Sequence, residues 1–124
     1  VTDPDLIRRL EEQPPDPIWD RIDPDRAHRD LDGNPISLRQ WCVLFESTGR
    51  IVAQDHVGEY YLSTVWLGID HGFGDGPPLI YETMLFKGTR NDVETYRYST
   101  WTEAEQHHAK LLEELKLIVA GSWA

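Results

Sequence analysis

Residues 60–86 read YYLSTVWLGIDHGFGDGPPLIYETMLF, two apolar, strand-like runs on either side of a segment dense in Gly, Asp, His and Pro. In the first run Tyr61, Val65, Leu67 and Ile69 alternate with Tyr60, Leu62, Thr64 and Trp66. Both faces are apolar, which places this strand at the centre of a sheet. The second run, 79–87, carries Glu82 as the only acid in an otherwise apolar interior. The pair predicts a β-hairpin whose loop gathers the polar groups. Working outward, 40–46 alternates Trp41, Val43 and Phe45 with Cys42 and Leu44, and 50–57 puts Ile51, Ala53 and Val57 on one face. Residues 94–100 read as a further, more exposed strand. Short connections favour antiparallel neighbours and a meander of about five strands.

Toward the C-terminus the period changes. Ala104, His108, Leu111, Leu112, Leu115 and Ile118 recur at helical spacing, predicting a helix over about 102–119 with its apolar stripe across one sheet face. Thr100-x-x-Glu103 and Thr102-x-x-Glu105 are both candidate capping boxes, and Gly121 ends the segment. At the other end, Thr2 or Asp3 caps a helix starting at Pro4, with Leu6, Ile7 and Leu10 as its stripe. Pro14, Pro15 and Pro17 stop that helix and enforce an extended path. Asp23-Pro24 opens a second short helix through about Leu31, and Asp32-Gly33-Asn34-Pro35 is a turn. The fold class is therefore α+β. A single domain spans 1–124, with an acidic helical arm over 1–35 and the sheet plus C-terminal helix over 36–124.

Charge narrows the function classes. Twenty-two acidic against twelve basic residues give a net charge of −10. That opposes direct binding to nucleic acid or an anionic membrane, both of which need a basic footprint. Ten of the carboxylates lie in residues 1–35 against five Arg, which is either a solvated surface or a phosphate-mimicking face. Cys42 is the single cysteine, compatible with a reducing compartment. No apolar run approaches the ~20 residues of a membrane span, and no leader is visible, so a soluble, cytoplasmic protein is expected.

The loop 68–78 is the first place to seek a site. Its glycines allow close backbone approach, and Asp70, His71 and Asp75 could ligate a divalent metal, with Glu82 or His56 completing the set. The plain alternative is an ordered hairpin loop in which Asp70 and Asp75 accept backbone N–H bonds. A phosphate cradle is excluded, because the loop lacks GxxxxGK and a following Lys. Glu82 is either a buried acid or a structural partner of a loop N–H, a Tyr hydroxyl or an Arg. Asp55 and His56 point to opposite faces of a strand, so they form no dyad. His107 and His108 diverge by about 100° on a helix and cannot chelate one ion. His108 lies near the apolar stripe and reads as a hydrogen-bonded core-edge residue. Ser63 and Ser99 lack the GxSxG elbow of a serine hydrolase. The aromatic residues lack the interleaved Lys or Arg of a base-stacking platform.

The blocks STVWLGIDH (63–71), GPPLIYETMLF (76–86) and RYSTWTEAEQHH (97–108) together resemble a family of small proteins of actinobacterial viruses, prophages and bacteria. The resemblance covers about 40–112, with Tyr81 where the family has Phe, and residues 1–35 show no match. It implies a viral or prophage setting and carries no activity. Since its motif unites Asp70, His71, Glu82 and His108, these residues are expected to gather at one end of the sheet. The function expected is a non-enzymatic accessory protein that binds a host or viral protein and needs no cofactor. An exposed sheet edge would admit a homodimer. Two alternatives stand beside it. One is a metal-dependent hydrolase or nuclease using Asp70, His71, Asp75 and Glu82. The other is a nucleic-acid mimic presenting Asp16, Asp20, Asp23 and Asp25.

Overall fold

The computed structural model describes residues 3–22, 28–70 and 76–121. In chain order the elements are α1 (Pro4–Glu11), α2 (Pro17–Asp20), α3 (Leu38–Phe45), β1 (Ile51–Val57), β2 (Tyr60–Trp66), β3 (Tyr81–Lys87), β4 (Arg90–Tyr98) and α4 (Trp101–Gly121). Turns at Gly58-Glu59 and Gly88-Thr89 join β1 to β2 and β3 to β4. The four strands form one antiparallel sheet in sequence order, an α+β meander with β2 and β3 at its centre. Register decides which side chains meet. Thr64 lies opposite Thr83, Trp66 opposite Tyr81, and Leu62 opposite Leu85, so these residues share one face.

That face is covered by α4, whose buried residues are Ala104, His108, Leu111 and Leu115. Two apolar clusters result. Leu62 and Leu85 meet Leu111 and Leu115 at one end. At the other, Trp66, Ile80, Tyr81 and Ala104 are joined by Trp41, Leu44 and Phe45 of α3. Thr100 caps α4, its hydroxyl accepting from the Glu103 N–H at 3.1 Å and donating to the Glu103 carboxylate at 3.0 Å, so the cap falls at Thr100 without the reciprocal bond of a full capping box. Among the described residues no helix packs on the opposite face of the sheet. It presents His56, Tyr61 and Phe86 as a stacked row, with centroids 4.4 and 5.8 Å apart.

The strand expected over 40–46 is instead α3. Ser37 and Gln40 form a reciprocal capping box, the Gln40 N–H reaching the Ser37 hydroxyl at 3.2 Å and the Ser37 N–H reaching the Gln40 side-chain Oε1 at 3.0 Å. Trp41 and Phe45, one helical turn apart, stack with centroids at 4.8 Å. The other expected strands stand, with shifted ends: β2 stops at Trp66, and Ile69 makes only an isolated bridge to His28. His28 and Arg29 are bridge residues and Leu31 lies in a turn, so no helix runs through Leu31. The expected start of that helix at Asp23-Pro24 lies outside the described residues. Pro17 opens α2 at its first position rather than extending the chain, because Asp16 caps it through the Ile18 N–H at 2.7 Å.

One side chain, Arg39, gathers the ends of α1 and α2. Neither α1 nor α2 contains a buried residue. Arg39 of α3, 12% exposed, spends all five N–H donors on the arm. Its Nε and Nη2 grip the Asp20 carboxylate at 2.7 and 3.2 Å, and the remaining donors reach the carbonyls of Leu10, Gln13 and Pro14 at 2.7–2.8 Å. Asp20 is held below the usual carboxylate range by that guanidinium, with help from the Asp16 backbone. Arg39→Ala should free the arm while α4 stays helical. Limited trypsin cleavage at Arg8, Arg9 and Arg21 should accelerate about tenfold or more, since one bond to a charged group is worth roughly 1.5–3 kcal/mol. Arg39→Lys should not rescue, because an ammonium has three donors and no planar fork. Unchanged cleavage in Arg39→Ala would refute this account of how the arm is attached.

Candidate functional site

Between the two apolar clusters runs a row of polar side chains that crosses the interior. Asp55 on β1 and Thr64 on β2 flank His108 of α4. His108 Nε2 lies 2.7 Å from Asp55 Oδ2, and Nδ1 lies 2.7 Å from Thr64 Oγ1. Thr64 in turn meets Thr83 of β3 across the register pair. Beside the row, on β4, the Tyr98 hydroxyl meets Nδ1 of His107. Thr64 is 0% and His108 3% exposed, whereas the Asp55 side chain is 40% exposed at the rim. The ionised Asp55 carboxylate only accepts, so His108 carries a proton on Nε2.

The rest of the row has two consistent senses. With Nδ1 bare, Thr64 donates to it and Thr83 donates to Thr64. With Nδ1 carrying the proton, it donates to Thr64, which in turn donates to Thr83. Either way the buried hydroxyls are satisfied, as an interior of low polarity demands.

The Asp–His–Thr order invites comparison with a nucleophile, base and orienting acid. Its geometry forbids that chemistry, since a catalytic hydroxyl must meet substrate and Thr64 Oγ1 is enclosed and already bonded to two side chains.

The residues expected to gather do not share one place. Asp70 Oδ1 accepts the Leu79 N–H at 2.9 Å. Glu82 sits on the helix-free face, paired with its cross-strand neighbour Arg97 at 3.2 Å. Its neighbour Thr83 faces α4, so Glu82 and His108 lie on opposite sides of the sheet and the expected gathering fails for this pair. His56 is exposed on the Glu82 face, stacked on Tyr61. His71 and Asp75 lie outside the described residues. Among the described residues no group of three His, Cys, Asp or Glu could hold a metal ion. Of the acids proposed as a mimic, Asp16 and Asp20 serve the arm's own structure, and Asp23 and Asp25 lie outside the described residues. Cys42 is half-buried on α3, where burial and then Glu46 push its thiol up, away from the reactive thiolate.

A cleft of about 590 Å³ opens between α1, the turn near residues 30–36, and α3. No helix is long and apolar enough to cross a membrane, among the described residues. No family model, curated protein or solved structure matches the chain.

His107, beside the row, gives the fold a pH dependence. Burial and then Lys110 lower its pKa below the usual histidine value, with Glu114 partly opposing. A histidine depressed in the folded state binds its proton more readily when unfolded. Its stabilising contribution is complete above pH ~6.5 and is lost as pH falls through the lower folded value. The melting temperature should therefore drop between pH 7.5 and 5. His107→Gln, which keeps an acceptor for Tyr98 without titrating, should flatten that part of the curve. An unchanged slope in the variant would count against this assignment.

Proposed function

We propose that the chain is a non-enzymatic binding module, an accessory protein of viral or prophage type that acts in the cytoplasm by holding a host or viral protein. The observation that carries this reading is the enclosure of the Asp55–His108–Thr64 row. The side chains best arranged for acid–base or nucleophilic work are committed to one another, under a helix, where no substrate reaches the hydroxyl. The surface, by contrast, offers a helix-free sheet face and a cleft, features suited to contact with another macromolecule. The motif blocks 63–71, 76–86 and 97–108 support the viral setting.

The test is affinity capture of a stoichiometric partner by the tagged full chain, from lysates of infected and uninfected actinobacterial hosts. The purified partner is then titrated calorimetrically. A saturable complex is expected. Absence of any such partner across hosts would overturn the reading. A melting temperature raised by Mn²⁺, Mg²⁺ or Zn²⁺ would redirect it toward the metal-dependent hydrolase, because a ligand that binds only the native state must stabilise it.

A further inference from the structure

We infer that the cleft between α1 and α3 is the docking site for a short, basic, amphipathic segment of the partner protein. The inference rests on the binding-module reading and says what kind of partner surface the module takes. The cleft floor is aliphatic, formed by Leu31, Ile36, Val43 and Leu44. Its size of about 590 Å³ is that of a site able to enclose several apolar side chains. Its remaining lining is anionic. Glu11 projects from the end of α1, and Asp30 and Asp32 from the turn.

Arg39 and Gln40, the other polar groups in the lining, do not offset this. Arg39 is consumed by Asp20 and three carbonyls, so its charge is already matched. Gln40 closes the capping box of α3. Three carboxylates thus stand around an apolar floor, on a chain of net charge −10. The complementary occupant carries aliphatic side chains flanked by Lys or Arg, and an acidic segment, a nucleic acid or an anionic lipid is repelled. No strand residue lines the groove, though Trp66 and Tyr81 hold its turn through the Asp30 and Leu31 carbonyls.

The carboxylates differ in what they can be used to test. Asp30 Oδ1 accepts the N–H groups of Asp32 and Asn34, both at 2.9 Å, and its removal would disturb the turn. Glu11 and Asp32 are exposed and suit substitution. Glu11→Gln with Asp32→Asn removes two charges from the rim. Glu105→Gln with Glu113→Gln removes the same number from the exposed face of α4 and controls for net charge.

The probe is a fluorescein-labelled amphipathic peptide of Leu and Lys, followed by fluorescence anisotropy on the full chain. Saturable binding that weakens steeply with salt is expected, with a loss of about fivefold to tenfold in the rim variant and little change in the α4 control. Val43→Arg, which fills the floor with a like charge, should abolish binding, with circular dichroism confirming that it folds. Equal losses in the rim variant and the control would overturn the inference, as would equal binding of a peptide with Glu in place of Lys. So would no binding at all. A captured partner whose affinity survives the rim variant and Val43→Arg would remove the cleft and leave the binding module standing. No captured partner from any host would remove the module itself.

Discussion

Gly68→Ala should destabilise the protein by about 3–5 kcal/mol and lower its melting temperature by roughly 10–25 °C. Gly68 sits at φ +69°, in the left-handed region, where an L side chain costs about 1–2 kcal/mol. Space is the larger difficulty. An added Cβ would lie 2.3 Å from Trp66 Cζ2 and 2.7 Å from Trp41 Nε1. Neither ring can step aside. Trp66 is wholly buried and donates its Nε1–H to the Asp30 carbonyl at 3.2 Å, while Trp41 donates to the Leu67 carbonyl at 2.9 Å. The Gly68 carbonyl also receives the Arg29 N–H at 2.8 Å, so a shift of this backbone would loosen the turn that borders the cleft. Urea melts of Gly68→Ala and Gly76→Ala make the comparison, since nothing lies within 4 Å of the Cβ position at Gly76. Equal midpoints for the two variants would refute the account.

His108→Ala should cost about 2–4 kcal/mol, the sum of a cavity and of polar groups left without partners. Truncation deprives Asp55 of its donor and removes the Nδ1 contact of the enclosed Thr64. Asp55, at the rim, can rehydrate, and Thr64 cannot. His108→Gln should recover part of the loss, because it can reach one of the two partners. The threonines sharpen the test. Thr64→Val strands both His108 Nδ1 and Thr83, so it should be costly for so small a change. Adding Thr83→Val should cost little more, because the hydroxyl it removes already lacks its partner in the single variant. Additive losses, or a His108→Ala melting temperature within about 2 °C of the parent, would show that the row is not a coupled unit.

Much of this architecture is written locally, and the site is not. The central strands follow from alternation in 60–66 and 81–87, and α4 from the spacing of Ala104, His108, Leu111 and Leu115. α3 shows where periodicity fails. Over five residues, Trp41, Val43 and Phe45 satisfy a strand's alternation, while Trp41, Leu44 and Phe45 satisfy a helical turn equally well. The deciding signal was the Ser37-x-x-Gln40 cap, which lies just before the ambiguous stretch. The interior row was out of reach for a different reason. His108 lies 44 and 53 positions from its two partners, and strand register together with the packing of α4 brings Asp55, Thr64 and His108 together. His108 alone left a trace, as a polar residue within an apolar stripe. Arg39 left none, because nothing local distinguishes a residue that binds distant carbonyls from any surface arginine. Glu82 was legible in kind but not in partner: an acid among apolar neighbours called for a structural bond, and register supplies Arg97 one strand away, with 13% of the Glu82 side chain exposed.

Because α1 and α2 fully bury no residue and Arg39 gathers their ends, their release uncovers less hydrocarbon than unfolding of the sheet and α4. The heat-capacity increment and the denaturant slope of that event are correspondingly small, as both scale with newly wetted area. Calorimetry of the whole chain would register the sheet and α4, and the amino-terminal helices would come and go beneath that transition almost without signature. The mouth of the acidic cleft, bordered by Glu11 at the end of α1, would thus change its width without disturbing the melting of the body that carries it.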